Sequence, residues 1–303
     1  MPFADAYRRQ VALLIRVIPF VAEERAFALK GGTAINLFIR NMPRLSVDID
    51  LAYLPVAPRE ESLAAIDAAM KRIAAAIRAG IPGSRVTEGT AEATVTKLFV
   101  QADNVRIKIE VTPVLRGTVY DAKVRQVADA VEDAFGFAET NLVSFADLYG
   151  GKIVAALDRQ HPRDLFDIRD LLANEGIDDA LRRAFIVYLI SHDRPMFEVL
   201  TARPKDLSIE FARGFEGMTA ETVSREALVD ARAALVRTVV GGMPAAHRHF
   251  LISFERGEPD WDALGVPGAA ELPAVKWRQR NLDLLEESRR DALVEALIKV
   301  LGE

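Results

Sequence analysis

The sequence contains, near its N-terminus, the stretch Ser46-Val47-Asp48-Ile49-Asp50-Leu51. Because side chains alternate across a strand, Asp48 and Asp50 would share one face with Ser46, and the apolar residues would share the other. Two neighbouring carboxylates repel each other, and a bound Mg²⁺ would offset that repulsion while also taking phosphate oxygens as ligands. The pattern leaves one alternative open, a half-exposed strand with a solvated acidic edge.

A second stretch repeats this alternation at Val105-Arg106-Ile107-Lys108-Ile109-Glu110-Val111. Its branched apolar residues would form one face, and the charged residues would form the other. If this strand lies beside the first one, Glu110 would come close to Asp48 and Asp50 as a third acid. The alternative is an outward-facing strand whose charges neutralise one another.

A glycine turn precedes the acidic strand, in the order Lys30-Gly31-Gly32-Thr33. Paired glycines let the backbone approach a phosphate closely, and the start of the following helix offers free N–H groups to an anion. The hydroxyls of Thr33 and Ser46 would add hydrogen bonds to phosphate. The spacing is not that of a P-loop, and a turn without a ligand is the alternative interpretation.

The composition excludes several classes of site. The chain has 303 residues, a formal charge of −5 and no cysteine, which rules out disulfides, thiolate zinc sites, iron–sulfur clusters and a cysteine nucleophile. Without a signal peptide or an apolar run of about 20 residues, we expect a cytoplasmic protein that does not engage a membrane. Neither half is strongly basic, so a nucleic-acid partner would have to be held by a local patch.

The hydrophobic periodicity predicts a mixed α/β domain over residues 1–140, followed by a helical domain over 141–303. Within the first domain we expect a helix over 5–28, a strand over 45–51, a helix over 60–79 and a hairpin of strands at 93–101 and 105–114. Within the second we expect helices over 144–158, 162–176, 178–191, 221–240, 244–256 and 278–301.

The order of these motifs resembles the AbiEii/AbiGii toxin branch of the polymerase-β-like nucleotidyltransferases. The resemblance rests on Leu29-Lys-Gly-Gly-Thr-Ala34, Arg44-Leu-Ser-Val-Asp-Ile-Asp-Leu51, Gly151-Lys-Ile-Val-Ala-Ala-Leu157, Pro162-Arg-Asp-Leu-Phe-Asp-Ile168 and Leu272-Pro-Ala-Val-Lys-Trp277. It implies an α+β fold, in which a nucleotidyltransferase domain with a small mixed sheet is followed by a helical C-terminal domain.

The resemblance also implies roles for individual residues. The catalytic set would be Asp48, Asp50, Glu110, Lys152, Asp164 and Asp167. Its carboxylates Asp48, Asp50 and Glu110 would bind one or two Mg²⁺ ions, with Glu110 completing a second site or acting as a base. The nucleotide would be bound by Lys30, Gly31, Gly32, Thr33, Ser46 and Lys152. Asp164 and Asp167, three apart on one helix, would orient Lys152 or the attacking hydroxyl; a helix-dipole role and a surface ion pair are the alternatives.

The activity implied by the resemblance is transfer of nucleotides from an NTP to the 3′ end of tRNA, which would block translation. The protein would be the toxin of a toxin–antitoxin or phage-defence pair and would have a cognate antitoxin as partner. Two alternatives stay open: nucleotidylation of a protein or small molecule, and a catalytically silent binding partner.

Two glycines and one tryptophan carry further expectations. Gly150 and Gly151 stand inside a predicted helix, where each costs roughly 1 kcal/mol relative to alanine. This predicts either the close approach of another backbone or substrate, or local fraying around Lys152. Trp277 is expected to anchor the last helix to the core; contact with RNA, together with Lys276, Arg278 and Arg280, is the alternative.

Overall fold

The computed structural model describes residues 4–302, and their contacts divide the chain into two compact units. The first unit extends to Ser144 and includes the later segment Phe215–Thr222. The second unit consists of Phe145–Gly214 and the residues from Val223 onward. The domains 1–140 and 141–303 stay a prediction.

The first unit is built on a mixed sheet. Within residues 4–302, this sheet has seven strands: β1 (Phe27–Lys30), β2 (Asp48–Tyr53), β3 (Arg85–Ala91), β4 (Thr94–Ala102), β5 (Val105–Val111), β6 (Lys123–Gln126) and β7 (Glu139–Leu142). Their spatial order is β3-β4-β5-β2-β1-β7-β6. Strand β2 runs parallel to β5, β1 runs parallel to β7, and the other neighbours are antiparallel. The expected mixed α/β fold is therefore confirmed.

Helices of the first unit pack against this sheet. They are α1 (Asp5–Ala22), α2 (Gly31–Ala34), which continues into a π-helical turn (Ile35–Ile39), α3 (Arg59–Gly80) and α4 (Asp129–Phe135). Helix α1 contacts β5, and α3 contacts β4. The alternating apolar residues Ile49, Ile107 and Ile109 are buried, so the polar residues of β2 and β5 occupy the opposite face of the sheet.

One predicted element of this unit differs from the observed structure. The helix expected over 5–28 ends at Ala22, because the buried run from Phe27 to Leu29 continues as β1 between β2 and β7. A run of three or four apolar residues has no period that separates a buried strand from a helix. The predicted hairpin is present as β4 and β5.

The second unit is helical. Its helices are α5 (Phe145–Asp158), α6 (Pro162–Asn174), α7 (Asp179–Ile190), α8 (Met196–Leu200), α9 (Ser208–Gly214), α10 (Arg225–Val236), α11 (Ala245–Glu255), α12 (Trp261–Leu264), α13 (Pro273–Asp283) and α14 (Glu287–Leu301). A π-helical turn (Arg237–Gly241) and a 3₁₀ turn (Pro267–Glu271) complete it. None of the helices in the described part of the chain is long and apolar enough to cross a membrane.

Two predictions about the C-terminal helices are wrong. The helix predicted over 278–301 is interrupted, because Glu286 is extended, with φ −57° and ψ 141°. Helix α13 therefore ends before it, and α14 begins after it. Trp277 is 57% exposed and does not anchor its helix, whereas Val275 and Leu282 of the same helix are buried.

A segment distant in sequence supports the chain before β2. Leu45 donates its backbone N–H to Met218 at 2.7 Å, and Ala220 donates to the carbonyl of Pro43 at 2.8 Å. Met218 is buried in the first unit. The approach to the acidic strand is thus held by main-chain hydrogen bonds as well as by the sheet.

Candidate active site

The acidic residues of β2 lie beside charged residues of β5. In the parallel register Asp48 is opposite Lys108, and Asp50 is opposite Glu110. Because paired residues project from the same face of a sheet, all four side chains share the polar face. Each of them is half-buried. The expected juxtaposition of Glu110 with the aspartates therefore exists in the first unit, and Lys108 lies within it.

Glu110 is held by two lysines. Its Oε2 accepts a hydrogen bond from Lys108 Nζ at 2.7 Å, and its Oε1 lies 2.9 Å from Lys97 Nζ. Burial would raise the pKa of Glu110, but hydrogen bonds from Lys108 and Lys97 outweigh burial and lower it. Burial likewise opposes the charge of Lys108, yet Glu110, Asp48 and Asp50 raise its pKa. Glu110 and Lys108 consequently stay charged together.

The glycine turn lies directly against Asp50. Lys30 is the cross-strand neighbour of Asp50, and Gly31 follows with φ +74° in the left-handed region. A Cβ on Gly31 would lie 2.5 Å from Asp50 Oδ2, which is closer than any real contact of this kind. Glycine is needed here both for the backbone conformation and for the approach to the carboxylate.

Gly32 makes room for a buried arginine. A Cβ at this position would lie 2.7 Å from Arg44 Nη2 and 3.0 Å from Ser46 Oγ. Arg44 is only 1% exposed and donates from Nη1 to the carbonyl of Leu45 at 3.0 Å. The turn therefore rests on a guanidinium group to which the sequence pattern alone assigns no role.

Thr33 and Ser46 connect the turn to the strand. The Thr33 hydroxyl donates a hydrogen bond to the carbonyl oxygen of Asp48 and lies 3.0 Å from Ser46 Oγ. Both side chains are buried. Their observed hydrogen bonds fix the turn relative to Asp48, and their contact with a nucleotide stays a prediction.

An aromatic residue extends the polar face. Phe99 on β4 is the cross-strand neighbour of Lys108, and the guanidinium of Arg106 lies 4.0 Å from the centre of its ring. Phe99 is half-buried and Arg106 is exposed. This pair forms a cationic and aromatic surface that spans β4 and β5, next to Lys108.

The carboxylate pair suits a hard divalent cation. Asp48 and Asp50 offer oxygen ligands from neighbouring positions on one face, and Mg²⁺ is commonly held by one or two carboxylates together with substrate phosphates. Among residues 4–302, no three His, Cys, Asp or Glu side chains converge into a metal-binding group. The chemistry of the donor set therefore fits an ion whose remaining ligands come from a nucleotide and water.

Three further predicted residues meet in the second unit. Lys152 on α5 is 7% exposed, and its Nζ lies 2.8 Å from Asp164 Oδ1 and 3.0 Å from Asp167 Oδ2. Both aspartates lie on α6 and are buried. Arg159 also binds Asp164, with Nε at 2.6 Å from Oδ2. The spacing of the two aspartates thus places both on the ammonium group of Lys152.

The charges of this cluster depend on one another. Burial would raise the pKa of Asp164, but Lys152 and Arg159 outweigh burial and hold it far below its usual range. At α6, His161 is the N-cap, and its Nδ1 accepts from the N–H of Arg163 at 3.1 Å. Asp164 is therefore an ionised partner of Lys152, and it lies in the first turn of α6, where the helix-dipole alternative also places it. Asp167 is buried, so its ion pair with Lys152 is not a surface ion pair.

Gly150 and Gly151 allow a neighbouring helix to approach α5. A Cβ on Gly150 would lie 2.9 Å from the backbone nitrogen of Phe185 on α7, and one on Gly151 would lie 3.3 Å from the Tyr188 ring. Helix α5 is continuous from Phe145 to Asp158. The glycines therefore serve helix packing, and Lys152 stands on an unbroken helix.

Comparison with known proteins shows which family the chain belongs to. The family model described as "Nucleotidyl transferase AbiEii toxin, Type IV TA system" matches residues 12–279. The chain belongs to this family. The AbiEii protein is thus a nucleotidyltransferase toxin of a type IV toxin–antitoxin system. None of the curated proteins compared with the chain matches it.

A solved structure supports the fold of this AbiEii protein. MenT4, a nucleotidyltransferase toxin from Mycobacterium tuberculosis H37Rv, aligns with a TM-score of 0.60 and 15% sequence identity. The alignment covers 98% of this chain and 94% of that chain. At this identity the likeness shows the fold alone. It confirms the fold class, including a mixed sheet and a large helical part.

Sequence reasoning about the AbiEii protein missed three cations. Lys97, Lys108 and Arg44 received no role, although they hold Glu110 or the glycine turn. Lys108 carried a usable signal, because it lies two residues from Glu110 and thus on the same strand face. Lys97 carried none, since its position opposite Glu110 depends on the hairpin register.

Proposed function

We propose that this AbiEii toxin is a Mg²⁺-dependent enzyme that transfers nucleotides from an NTP to the 3′ end of tRNA and so blocks translation. The observation that carries the proposal is the contact between the glycine turn and Asp50. It supports the proposal because a glycine turn before a helix can bind phosphate and a carboxylate can bind Mg²⁺. A cognate antitoxin would restrain the activity in a toxin–antitoxin or phage-defence pair. The substrates are cytoplasmic, and we propose that the enzyme acts there.

In the proposed reaction, the oxygen of the acceptor hydroxyl forms a bond to the α-phosphorus of the NTP. The bond between that phosphorus and the oxygen bridging to the β-phosphorus breaks, pyrophosphate leaves with the electron pair, and the hydroxyl proton passes to water or a carboxylate. Phosphoryl transfer of this kind depends mainly on positioning and on charge neutralisation. A bound Mg²⁺ would supply neutralisation of phosphate charge and would be held by Asp48 and Asp50.

The residues of this chain would position the NTP. The backbone of Gly31 and Gly32 would receive phosphate oxygens, and Lys30 beside Asp50 would add a positive charge. Arg44 would hold the turn in place, because its guanidinium occupies the space that a side chain at position 32 would need. We also propose that Lys152 binds nucleotide phosphate, oriented by its two buried aspartates.

The surface formed by Phe99 and Arg106 favours a nucleic-acid acceptor over a protein acceptor. Unstacked RNA bases bind to aromatic rings and to the guanidinium planes of arginine, and such stacking contributes about 1–3 kcal/mol per base. Phe99 is opposite Lys108, which is opposite Asp48, so a base stacked on Phe99 would lie two strands from Asp48 on the same face of the sheet. The free 3′ end of tRNA is single-stranded and suits such a surface.

Incubation of the purified protein with each labelled NTP, Mg²⁺ and total tRNA tests the proposal. We expect label on tRNA with the wild type and its loss in Asp48→Asn. Asp103→Asn is the matched control, because Asp103 is an exposed carboxylate of the same unit that binds Arg16. Phe99→Ala should raise the KM for tRNA more than the KM for the NTP. Label on protein alone would favour protein nucleotidylation, and no label with any NTP would favour a non-catalytic binding partner.

A further inference from the structure

Both carboxylate oxygens of Glu110 already have cationic partners. Lys108 lies 2.7 Å from Oε2, and Lys97 lies 2.9 Å from Oε1. Charge-assisted hydrogen bonds at these distances are roughly twice as strong as neutral ones. A direct bond from Glu110 to a metal ion would have to displace at least one of these ammonium groups.

Lys108 also places a positive charge beside the aspartates. It is directly opposite Asp48 on the neighbouring parallel strand, where the two side chains share one face of the sheet. The charges of both Asp48 and Asp50 act on it. A fixed cation therefore lies next to the carboxylate pair before any metal ion binds.

The charges of this cluster limit how many divalent ions it would accept. Its three carboxylates, Asp48, Asp50 and Glu110, and its two ammonium groups, Lys97 and Lys108, give a net charge of −1. One divalent ion would bring the cluster to +1, which suits a polyphosphate ligand, whereas two ions would bring it to +3. A second ion near Glu110 would also lie beside Lys108, and like charges at such distances repel.

From this arrangement, and resting on the function proposed above, we propose that one divalent ion binds per chain at Asp48 and Asp50. Lys108 supplies the fixed positive charge beside that ion. Glu110 is a positioning residue that holds Lys108, and it is not a metal ligand. This differs from the role that family resemblance implies for Glu110, which is that of a third carboxylate ligand.

Metal binding measured without catalysis tests the inference. Free Mn²⁺ is quantified by electron paramagnetic resonance during titration of the full chain, with and without an NTP analogue that carries a methylene bridge between the α- and β-phosphates. A titration of the analogue alone corrects for the Mn²⁺ that it binds itself. We expect one Mn²⁺ per wild-type chain in both conditions.

Four variants separate a ligand from a positioning residue. Glu110→Gln should keep one Mn²⁺ per chain and weaken its Kd by about threefold, because a nearby negative charge is lost. Asp48→Asn should weaken binding by about tenfold or more, because it removes a ligand oxygen charge. Lys108→Met should tighten Mn²⁺ binding by about threefold or more, because it removes a like charge, while it lowers nucleotide transfer. Lys108→Arg keeps that charge and should restore the wild-type Kd. Glu88→Gln is the control, since Glu88 is a carboxylate on β3 that binds Arg78.

The outcomes distinguish this inference from the proposed function. Two Mn²⁺ ions per chain, with the second lost in Glu110→Gln, would overturn the inference and leave the proposed function intact. Unchanged or weaker Mn²⁺ binding in Lys108→Met would overturn the role given to Lys108. If the wild type bound no Mn²⁺, the proposed metal requirement would fail, and this inference would fail with it.

Discussion

The contact between Gly31 and Asp50 makes a single methyl group a probe of the candidate site. In Gly31→Ala the added Cβ would lie 2.5 Å from Asp50 Oδ2, about 1 Å inside ordinary van der Waals contact. The backbone is also strained, because φ at this position is +74°. Gly83 has nearly the same φ, +75°, but has nothing within 4 Å of an added Cβ. Gly83→Ala therefore imposes the backbone strain alone.

The two effects have separable magnitudes. An L residue in the left-handed conformation costs roughly 1–2 kcal/mol, so both variants should lose about that much free energy of unfolding. Only Gly31→Ala should also displace the carboxylate of Asp50. A misplacement of about 1 Å at a reacting centre costs on the order of 100-fold in rate. We expect nucleotide transfer to fall by about that factor in Gly31→Ala and to stay within about twofold of wild type in Gly83→Ala.

The assay is the initial rate of label transfer from the NTP, measured beside the melting temperature of each variant. Equal melting temperatures with unequal rates would assign the loss to the position of Asp50. Equal rates in the two variants would refute the reasoning, since they would show that the reaction does not depend on how the turn meets Asp50. A far larger loss of stability in Gly31→Ala would refute the claim that the methyl group acts only locally.

Two of the remaining predictions concern the buried cluster on α5 and α6, and the third concerns the packing of α5. Lys152→Met should lower the free energy of unfolding by about 3 kcal/mol or more in urea titrations. Lys71→Met, at an ion-paired side chain that is 55% exposed, should have a far smaller effect. Burial raises the pKa of Asp164, but Lys152 and Arg159 lower it by more. The stability that ionised Asp164 gives to the folded protein is therefore fully present above about pH 4, and it is lost as the pH falls toward the folded-state pKa. In Asp164→Asn, the melting temperature should therefore fall less steeply than in the wild type as the pH is lowered through the acidic range. An unchanged pH dependence would contradict this. Gly150→Ala should lower the melting temperature, with a cost of about 1–3 kcal/mol from its clash with the α7 backbone, whereas Gly241→Ala, with open space around it, should not.

The shared face of Asp48 and Asp50 could be predicted because it depends only on the order of residues within one strand. Alternation alone places Asp48 and Asp50 on one face, and the observed strand has that arrangement. The position of Glu110 needed one further condition, that β5 lies beside β2, which the register fulfils. The spacing of Asp164 and Asp167 likewise indicated their shared helix face, and Lys152, which both of them bind, was one of the two groups they were expected to orient.

What the sequence did not reveal depends on contacts between distant segments. The pairing of Lys97 with Glu110 follows from the hairpin register, and no period in the sequence encodes it. The segment around Met218 supports Leu45 through main-chain hydrogen bonds, which are independent of side-chain identity. Strand β1 was missed because a short apolar run is consistent with either a buried strand or a buried helix.

The net charge of −5 argues against a polyanionic substrate only if charge is averaged over the whole chain. Potential at a surface depends instead on the charges that share a face, and a cleft or face of one sign concentrates ligands of the other. On strands β1, β2, β4 and β5, the polar face of the sheet brings together four cations and three carboxylates, namely Lys30, Lys97, Arg106 and Lys108 with Asp48, Asp50 and Glu110. This face is therefore cationic by one unit before a metal ion binds, and one divalent ion would raise that excess to three. An acidic protein can in this way present a local surface that attracts both a triphosphate and the phosphate backbone of RNA.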